Sequence, residues 1–184
     1  MQRRKMAHMS PSRDVIEEPM SGEELAARYR AMCEDPCLAR VPGKLELDLW
    51  GRMVMTPPGT YHGLVQGRLC QRLATLGGET YAELAVVTAF GLFVADVAWG
   101  SREFAASRGK ESPFMRAPEI CLEVVSPSNS LKEMAEKRAG YLAAGALEVW
   151  LLFLHSKRIE FHGARGALER SRFAVDLSGI FDEA

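Results

Sequence analysis

Two acidic residues stand inside apolar segments of the chain. Asp96 lies in the run 93–99, FVADVAW, and Glu123 lies in the run 120–125, ICLEVV. A carboxylate in a buried strand loses its hydration, so it is stable only when it is paired with a cation or bound to a metal. The two residues therefore indicate either buried ion pairs or a site that performs chemistry.

The two carboxylates suit a hard divalent cation if their strands are neighbours. Side chains alternate between the two faces of a strand, so the register decides whether Asp96 and Glu123 point to the same place. Mg²⁺ binds through one or two carboxylates and keeps several waters. Such an ion can activate water against a phosphodiester. The pair thus predicts a site for Mg²⁺ or Mn²⁺.

A structural role for the same pair stays open. Asp96 could end its strand at the protein surface, and Glu123 could pair with an arginine. Buried ion pairs also occur in proteins where they perform no chemistry. The residue types alone do not separate this alternative from a metal site.

Hydrophobic periodicity predicts the elements that position the two carboxylates. Strands are expected at 44–50, 53–55, 81–90, 93–99, 119–125, 147–154 and 158–162, with one more around Phe173 to Val175. Helices are expected from Ser21 to about Met32, near 64–76 and near 131–144. The stretch 100–118 is expected to be a surface loop with one helical turn. This order predicts an α/β (α+β) fold, a mixed sheet flanked by helices.

Composition limits the class of protein. The 184 residues are expected to form one domain at 21–184, after a flexible tail at 1–20. The net charge of −1 excludes a protein held to nucleic acid by bulk positive charge. Four cysteines and no apolar leader favour reduced thiols in the cytoplasm. No charge-free stretch is long and apolar enough for a membrane span.

Several segments, in a fixed order, resemble a known bacterial family. They are APEICLEVVSPSNS at 117–130, EKRAGYL at 136–142, GALEVW at 145–150, and an opening block of LEL at 45–47, GRMVMTP at 51–57 and His62. The family is restriction-endonuclease-like, was formerly a domain of unknown function, and is placed in the PD-(D/E)XK nuclease superfamily. The resemblance covers about residues 21–175.

The resemblance implies a restriction-endonuclease-like fold with an N-terminal helix and a β-hairpin. It also implies an endonuclease that uses Mg²⁺ or Mn²⁺ to hydrolyse phosphodiester bonds in DNA. DNA is then the expected partner, a membrane is not, and a homodimer is left open. The alternative is a catalytically inactive nucleic-acid-binding or interaction protein that retains the nuclease scaffold, because a fold does not determine function.

Two positions depart from the PD-(D/E)XK pattern. Ala95 stands where a proline usually precedes the aspartate, and this change has no chemical consequence. Val125 stands where the pattern has the lysine of Glu-x-Lys, so the cation beside the metal must come from elsewhere. The resemblance implies a migrated lysine at Lys137, on the helix after Glu123. The residues alone also allow a solvated Lys137 that pairs with Glu133.

Two further residues are candidates for the catalytic site. Glu46 shares the polar phase of its strand with Lys44 and Asp48, so exposure to solvent is its default expectation. His62 is either a neighbour of the active site or a residue near the cap of the following helix.

Basic and aromatic side chains give weaker signals. Four basic residues of the 100–118 stretch either contact phosphate or form an ordinary solvated loop: Arg102, Arg108, Lys110 and Arg116. The three tryptophans, Trp50, Trp99 and Trp150, are expected in the core rather than as platforms for base stacking.

Overall fold

The computed structural model describes residues 18–41, 43–56 and 59–182. The predicted tail at 1–20 lies outside these ranges except for its last three residues. Within them, Met20 donates its backbone N–H to the carbonyl of Leu49 at 2.8 Å and packs beside the first helix. The packed structure therefore includes Met20.

Four α-helices flank the sheet. They are α1 (Gly22–Glu34), α2 (Thr60–Ala74), α3 (Arg102–Arg108) and α4 (Leu131–Ala143), and a short 3₁₀ helix covers Leu38–Arg40. The predicted capping box is present, because Ser21 accepts the N–H of Glu24 while the Glu24 carboxylate accepts the N–H of Ser21. None of the helices in the described part of the chain is long and apolar enough to cross a membrane.

Eight strands form one sheet. They are β1 (Lys44–Asp48), β2 (Met53–Thr56), β3 (Glu79–Thr88), β4 (Gly91–Gly100), β5 (Ile120–Val125), β6 (Glu148–Phe153), β7 (Arg158–Gly163) and β8 (Gly166–Leu168). Their order is β2-β1-β4-β5-β6-β7-β8, and β3 pairs with β4. Strands β5 and β6 run parallel, and the other pairs of named strands are antiparallel. The expected mixed sheet with flanking helices and an N-terminal helix and hairpin is confirmed.

Strands β1 and β5 pair with opposite ends of the same edge of β4, and we call the opening between them the fork. At one end, Gly91 and Leu92 pair with β1, and at the other end Val97 to Trp99 pair with β5. Between these ends, residues 93–96 pair with neither strand, so β1 and β5 diverge. Asp96 lies at this opening, where side chains from three strands can meet.

The two faces of the sheet are covered by different helices. On one face, Met134 and Tyr141 of α4 pack over Cys121 of β5. On the other, Val65 and Leu69 of α2 belong to the core cluster that holds alternate residues of β5 and β6. Glu123 has the strand phase of Cys121, so alternation directs it toward α4.

Three expectations about the periphery are wrong. No strand forms at Phe173 to Val175 in the described chain: the Val175 N–H bonds to the Phe173 carbonyl within the segment at 3.0 Å, and the Phe173 ring packs edge-on against Trp99 at 5.5 Å. The 100–118 stretch contains the seven-residue α3, capped by Ser101, instead of one helical turn. Trp50 is 42% exposed beneath the Arg52 guanidinium, whereas Trp99 and Trp150 are buried as expected.

Candidate functional site

Asp96 is buried at the fork and each of its carboxylate oxygens has a partner. Oδ2 accepts the backbone N–H of Val124 at 2.7 Å, which ties β4 to β5 where their pairing ends. Oδ1 lies 2.7 Å from Lys44 Nζ and 3.1 Å from His62 Nε2. Gln66 of α2 donates to the Asp96 carbonyl at 2.8 Å. The carboxylate is therefore held from both the sheet and α2.

Glu123 is equally buried and lies close to two ammonium groups. Oε1 accepts the hydroxyl of Tyr141 at 2.7 Å. Oε2 lies 3.2 Å from Lys137 Nζ and 3.5 Å from Lys44 Nζ. The alternative in which Glu123 pairs with an arginine is not what the structure shows, because both of its cationic neighbours are lysines.

Lys137 reaches the site from α4, over the sheet. Its side chain is only 2% exposed, and Nζ lies 2.8 Å from Glu46 Oε1 in addition to its contact with Glu123. The solvated lysine paired with Glu133 is therefore excluded. The helix phase explains the placement, since the buried residues of α4 also include Met134 and Tyr141 on either side of Lys137.

The expectation that Glu46 faces solvent is wrong. Glu46 is 4% exposed, and its Oε1 accepts the backbone N–H of Val94 at 2.7 Å. Val94 pairs with Ala85 of β3 on one edge of β4 but with neither β1 nor β5 on the other edge, where its N–H has the Glu46 carboxylate as its acceptor. The side chains of Lys44 and Glu46 lie on the same face of β1 and point into the fork rather than into water.

His62 lies in the first turn of α2 and is a neighbour of the site. Its Nε2 is 3.1 Å from Asp96 Oδ1, and about a quarter of its side chain is exposed, 24%. The structure thus brings together all five predicted site residues: Asp96, Glu123, Lys137, Glu46 and His62.

A cavity of about 230 Å³ opens onto this cluster. Lys44, His62, Asp96, Glu123 and Lys137 line it, together with polar residues of the turn that follows β5, such as Ser126 and Asn129. The lining contains no residue of the basic 100–118 stretch. Arg108 of that stretch instead contacts Glu111 at 3.3 Å.

The cations change the protonation of the buried groups. Burial would raise the pKa of Asp96, but the hydrogen bond from His62 and the charge of Lys44 outweigh it and lower the pKa below the usual range. Burial opposes charge on Lys44, yet the carboxylates of Glu123 and Asp96 raise its pKa above the usual range. Asp96 and Lys44 are therefore an ion pair at neutral pH.

Lys137 is held in its charged form as well. Burial opposes its charge, but Glu123 and Glu46 outweigh burial and raise the Lys137 pKa. Burial raises the pKa of Glu123, against the two lysines. Burial and the neighbouring Glu123 raise the pKa of Tyr141 well above its usual value, so its hydroxyl remains a hydrogen-bond donor.

The donor set fits a hard divalent cation of the Mg²⁺ type. Two buried carboxylates converge on one cationic atom, Lys44 Nζ, which shows that a positive charge is accommodated between them. Within the described ranges no group of three or more His, Cys, Asp and Glu residues is arranged to hold a metal. Two carboxylates suffice for Mg²⁺, which completes its shell with water and substrate oxygens.

Lys44, Tyr141 and Glu83 were not among the residues predicted for the site. Period-2 alternation places Lys44 two residues before Glu46, and helical spacing places Tyr141 four after Lys137, so both could have been found from their neighbours. Glu83 lines the same cavity, interrupts the β3–β4 pairing between Ala82 and Leu84, and adopts a left-handed φ of 52°. No local sequence signal marks that conformation.

Comparisons with known proteins identify the family and a similar fold. Residues 27–178 match the family Uma2, described as "Putative restriction endonuclease". A solved structure from Anabaena variabilis, described as a "putative nuclease belonging to DUF820", superposes with a TM-score of 0.60 at 14% identity. That match covers 88% of this chain and 91% of the other. No curated protein matches the chain.

Proposed function

This chain belongs to the Uma2 family, and on that premise we propose that it is an endonuclease that uses Mg²⁺ or Mn²⁺ to hydrolyse phosphodiester bonds in DNA. The observation that carries the proposal is the convergence of Asp96 and Glu123 on a single cationic atom at the base of an open cavity. The residues that would hold the metal are these two carboxylates. A divalent cation there supplies a Lewis acid for a phosphodiester oxygen.

Lys137 is the proposed catalytic cation. Its raised pKa keeps it protonated, so it orients water and stabilises negative charge rather than accepting a proton. Glu46 is a positioning residue, because its carboxylate holds the Lys137 ammonium at 2.8 Å while it is fixed by the Val94 N–H.

His62 is proposed to act at the mouth of the site. Its imidazole contacts Asp96 and lines the cavity, so it is placed to orient Asp96 and to donate a hydrogen bond to a bound phosphate. The proposed location is the cytoplasm and the proposed partner is DNA. A homodimer would bring a second copy of the site to the same duplex.

The proposal is tested with purified protein, supercoiled plasmid and linear duplex DNA, in Mg²⁺, in Mn²⁺ and in EDTA. Asp96→Asn and Glu123→Gln remove the charge of one proposed ligand each, and Glu136→Gln on the exposed part of α4 is the matched control. We expect metal-dependent cleavage that falls by about a hundredfold or more in the two site variants and is unchanged in the control.

Two results would count against the proposal. Cleavage that persists in EDTA, or that is equal in Asp96→Asn and the wild type, would place the chemistry elsewhere. DNA binding without cleavage in any metal would favour the inactive nucleic-acid-binding alternative.

A further inference from the structure

Lys44 occupies the position between the two proposed metal ligands. Its Nζ lies 2.7 Å from Asp96 Oδ1 and 3.5 Å from Glu123 Oε2, and its side chain is 10% exposed. It reaches this position from β1, on the other side of the fork. The ion pair therefore joins three strands through one ammonium group.

We propose that Lys44 is an internal counter-ion that competes with the divalent cation for the carboxylate oxygens of Asp96 and Glu123. The inference rests on the proposed function, because it assumes that these oxygens are the metal ligands. It adds that the Lys44 ammonium must leave its position between the two carboxylates when the metal binds.

One oxygen of each carboxylate already accepts a hydrogen bond from an uncharged group. Asp96 Oδ2 accepts the Val124 N–H, and Glu123 Oε1 accepts the Tyr141 hydroxyl. Lys44 contacts the other two oxygens: Asp96 Oδ1, which also lies 3.1 Å from His62 Nε2, and Glu123 Oε2, which also lies 3.2 Å from Lys137 Nζ. A divalent ion within bonding distance of Asp96 Oδ1 would lie too close to the Lys44 ammonium, 2.7 Å from that oxygen, for both cations to remain in a buried site.

Both lysines line the cavity, but Lys44 is the more exposed of the two and Lys137 is the more enclosed. Lys137 is 2% exposed and is held by Glu46 as well as Glu123. Lys44 lines the open cavity, and its flexible four-carbon stem allows the ammonium to turn toward solvent. Displacement of Lys44 therefore needs no change in α4 or in the core beneath it.

The first test measures Mn²⁺ binding by calorimetry to the wild type, Lys44→Met and a control, Lys132→Met. Lys132 is 86% exposed and contacts Glu136 on the outer side of α4. We expect Lys44→Met to bind Mn²⁺ at least tenfold more tightly than the wild type and Lys132→Met to bind as the wild type does. Equal or weaker binding by Lys44→Met would overturn the inference.

A second measurement uses the wild-type protein and does not depend on the folding of any variant. Lysines are labelled with an amine-reactive reagent, with and without Mn²⁺, and the labelling rate of each lysine is read by mass spectrometry. Displacement predicts that Mn²⁺ raises the rate at Lys44 several-fold and leaves Lys132 and the buried Lys137 unchanged. A Lys44 rate that is not raised at a Mn²⁺ concentration shown by calorimetry to saturate the wild type would contradict it.

The two proposals fail in distinguishable ways. If the wild type neither binds Mn²⁺ nor cleaves DNA while Lys44→Met binds Mn²⁺, the competition is supported and the proposed function fails. If the wild type cleaves DNA with Mn²⁺ and Lys44→Met binds no more tightly, the competition fails and the proposed function remains. If neither protein binds Mn²⁺, both fail.

Discussion

Lys137 of α4 and Glu46 of β1 are 91 residues apart in the chain, yet the Lys137 ammonium lies 2.8 Å from the Glu46 carboxylate. Both side chains are buried, and the same ammonium also contacts Glu123 of β5. One cation thus links a helix to two strands that the fork separates. The lysine has a structural role in addition to the catalytic role proposed for it.

Replacement of Lys137 by methionine should destabilise the protein. The variant leaves the carboxylates of Glu46 and Glu123 buried without the Lys137 ammonium. We expect a loss of about 3–5 kcal/mol in the free energy of unfolding, measured in urea without metal. Lys132→Met is the control and should change it by less than about 0.5 kcal/mol. Equal stability of Lys137→Met and the wild type would show that the ion pair contributes little.

Glu46→Gln should disturb the position of Lys137 and reduce DNA cleavage without weakening Mn²⁺ binding. Glutamine keeps an oxygen that can accept the Val94 N–H but removes the charge that holds Lys137. We expect DNA cleavage to fall by about tenfold or more, while Mn²⁺ affinity stays within about threefold of the wild type, since Glu46 is not a proposed ligand. A large loss of Mn²⁺ affinity in Glu46→Gln would make Glu46 a metal ligand instead.

Tyr141→Phe removes the hydroxyl that donates to Glu123 Oε1. The hydroxyl and the carboxylate are both fully or nearly fully buried, so the carboxylate oxygen loses its partner. We expect a loss of about 1–3 kcal/mol in the free energy of unfolding. Tyr81→Phe is the matched control, because the Tyr81 ring packs against Phe114 and its substitution keeps that contact. An unchanged unfolding curve for Tyr141→Phe would contradict the assignment of this hydrogen bond.

The pH dependence of stability should report the charge of Asp96. Its pKa is lowered in the folded protein, so the ionised form contributes stability above the unfolded pKa of about 3.9, and this contribution is lost as the pH falls further. In metal-free protein, the wild type should be more stable than Asp96→Asn near neutral pH, and this difference should shrink below about pH 4. Unfolding titrations at several pH values check this. A difference that grows on acidification would have the opposite sign and would rule out the ion pair.

The sequence alone predicted the sheet and most of its strands, because apolar alternation reports burial directly. It also predicted that Asp96 and Glu123 needed compensation, since each lies within an apolar run. The predicted environment of Glu46 was wrong. Glu46 alternates with Lys44 and Asp48 on the polar face of β1, and this pattern is the same whether that face meets water or the fork. The divergence of β1 and β5 from β4 is a tertiary feature that no local pattern encodes.

The missing lysine of the Glu-x-Lys pattern illustrates the same limit. Val125 at that position shows that the cation must come from elsewhere, but spacing along α4 could not decide between a solvated and a buried Lys137. Packing of Met134 and Tyr141 against β5 decides it, because their helix phase carries Lys137 to the sheet.

A crystal of the wild-type protein soaked in Mn²⁺ tests the central claim most directly. The anomalous difference map should show one Mn²⁺ peak between Asp96 and Glu123, with one oxygen of each carboxylate at about 2.0–2.4 Å from the ion. A map without a peak there, at a Mn²⁺ concentration that supports cleavage, would contradict the assignment of these two carboxylates as the metal site.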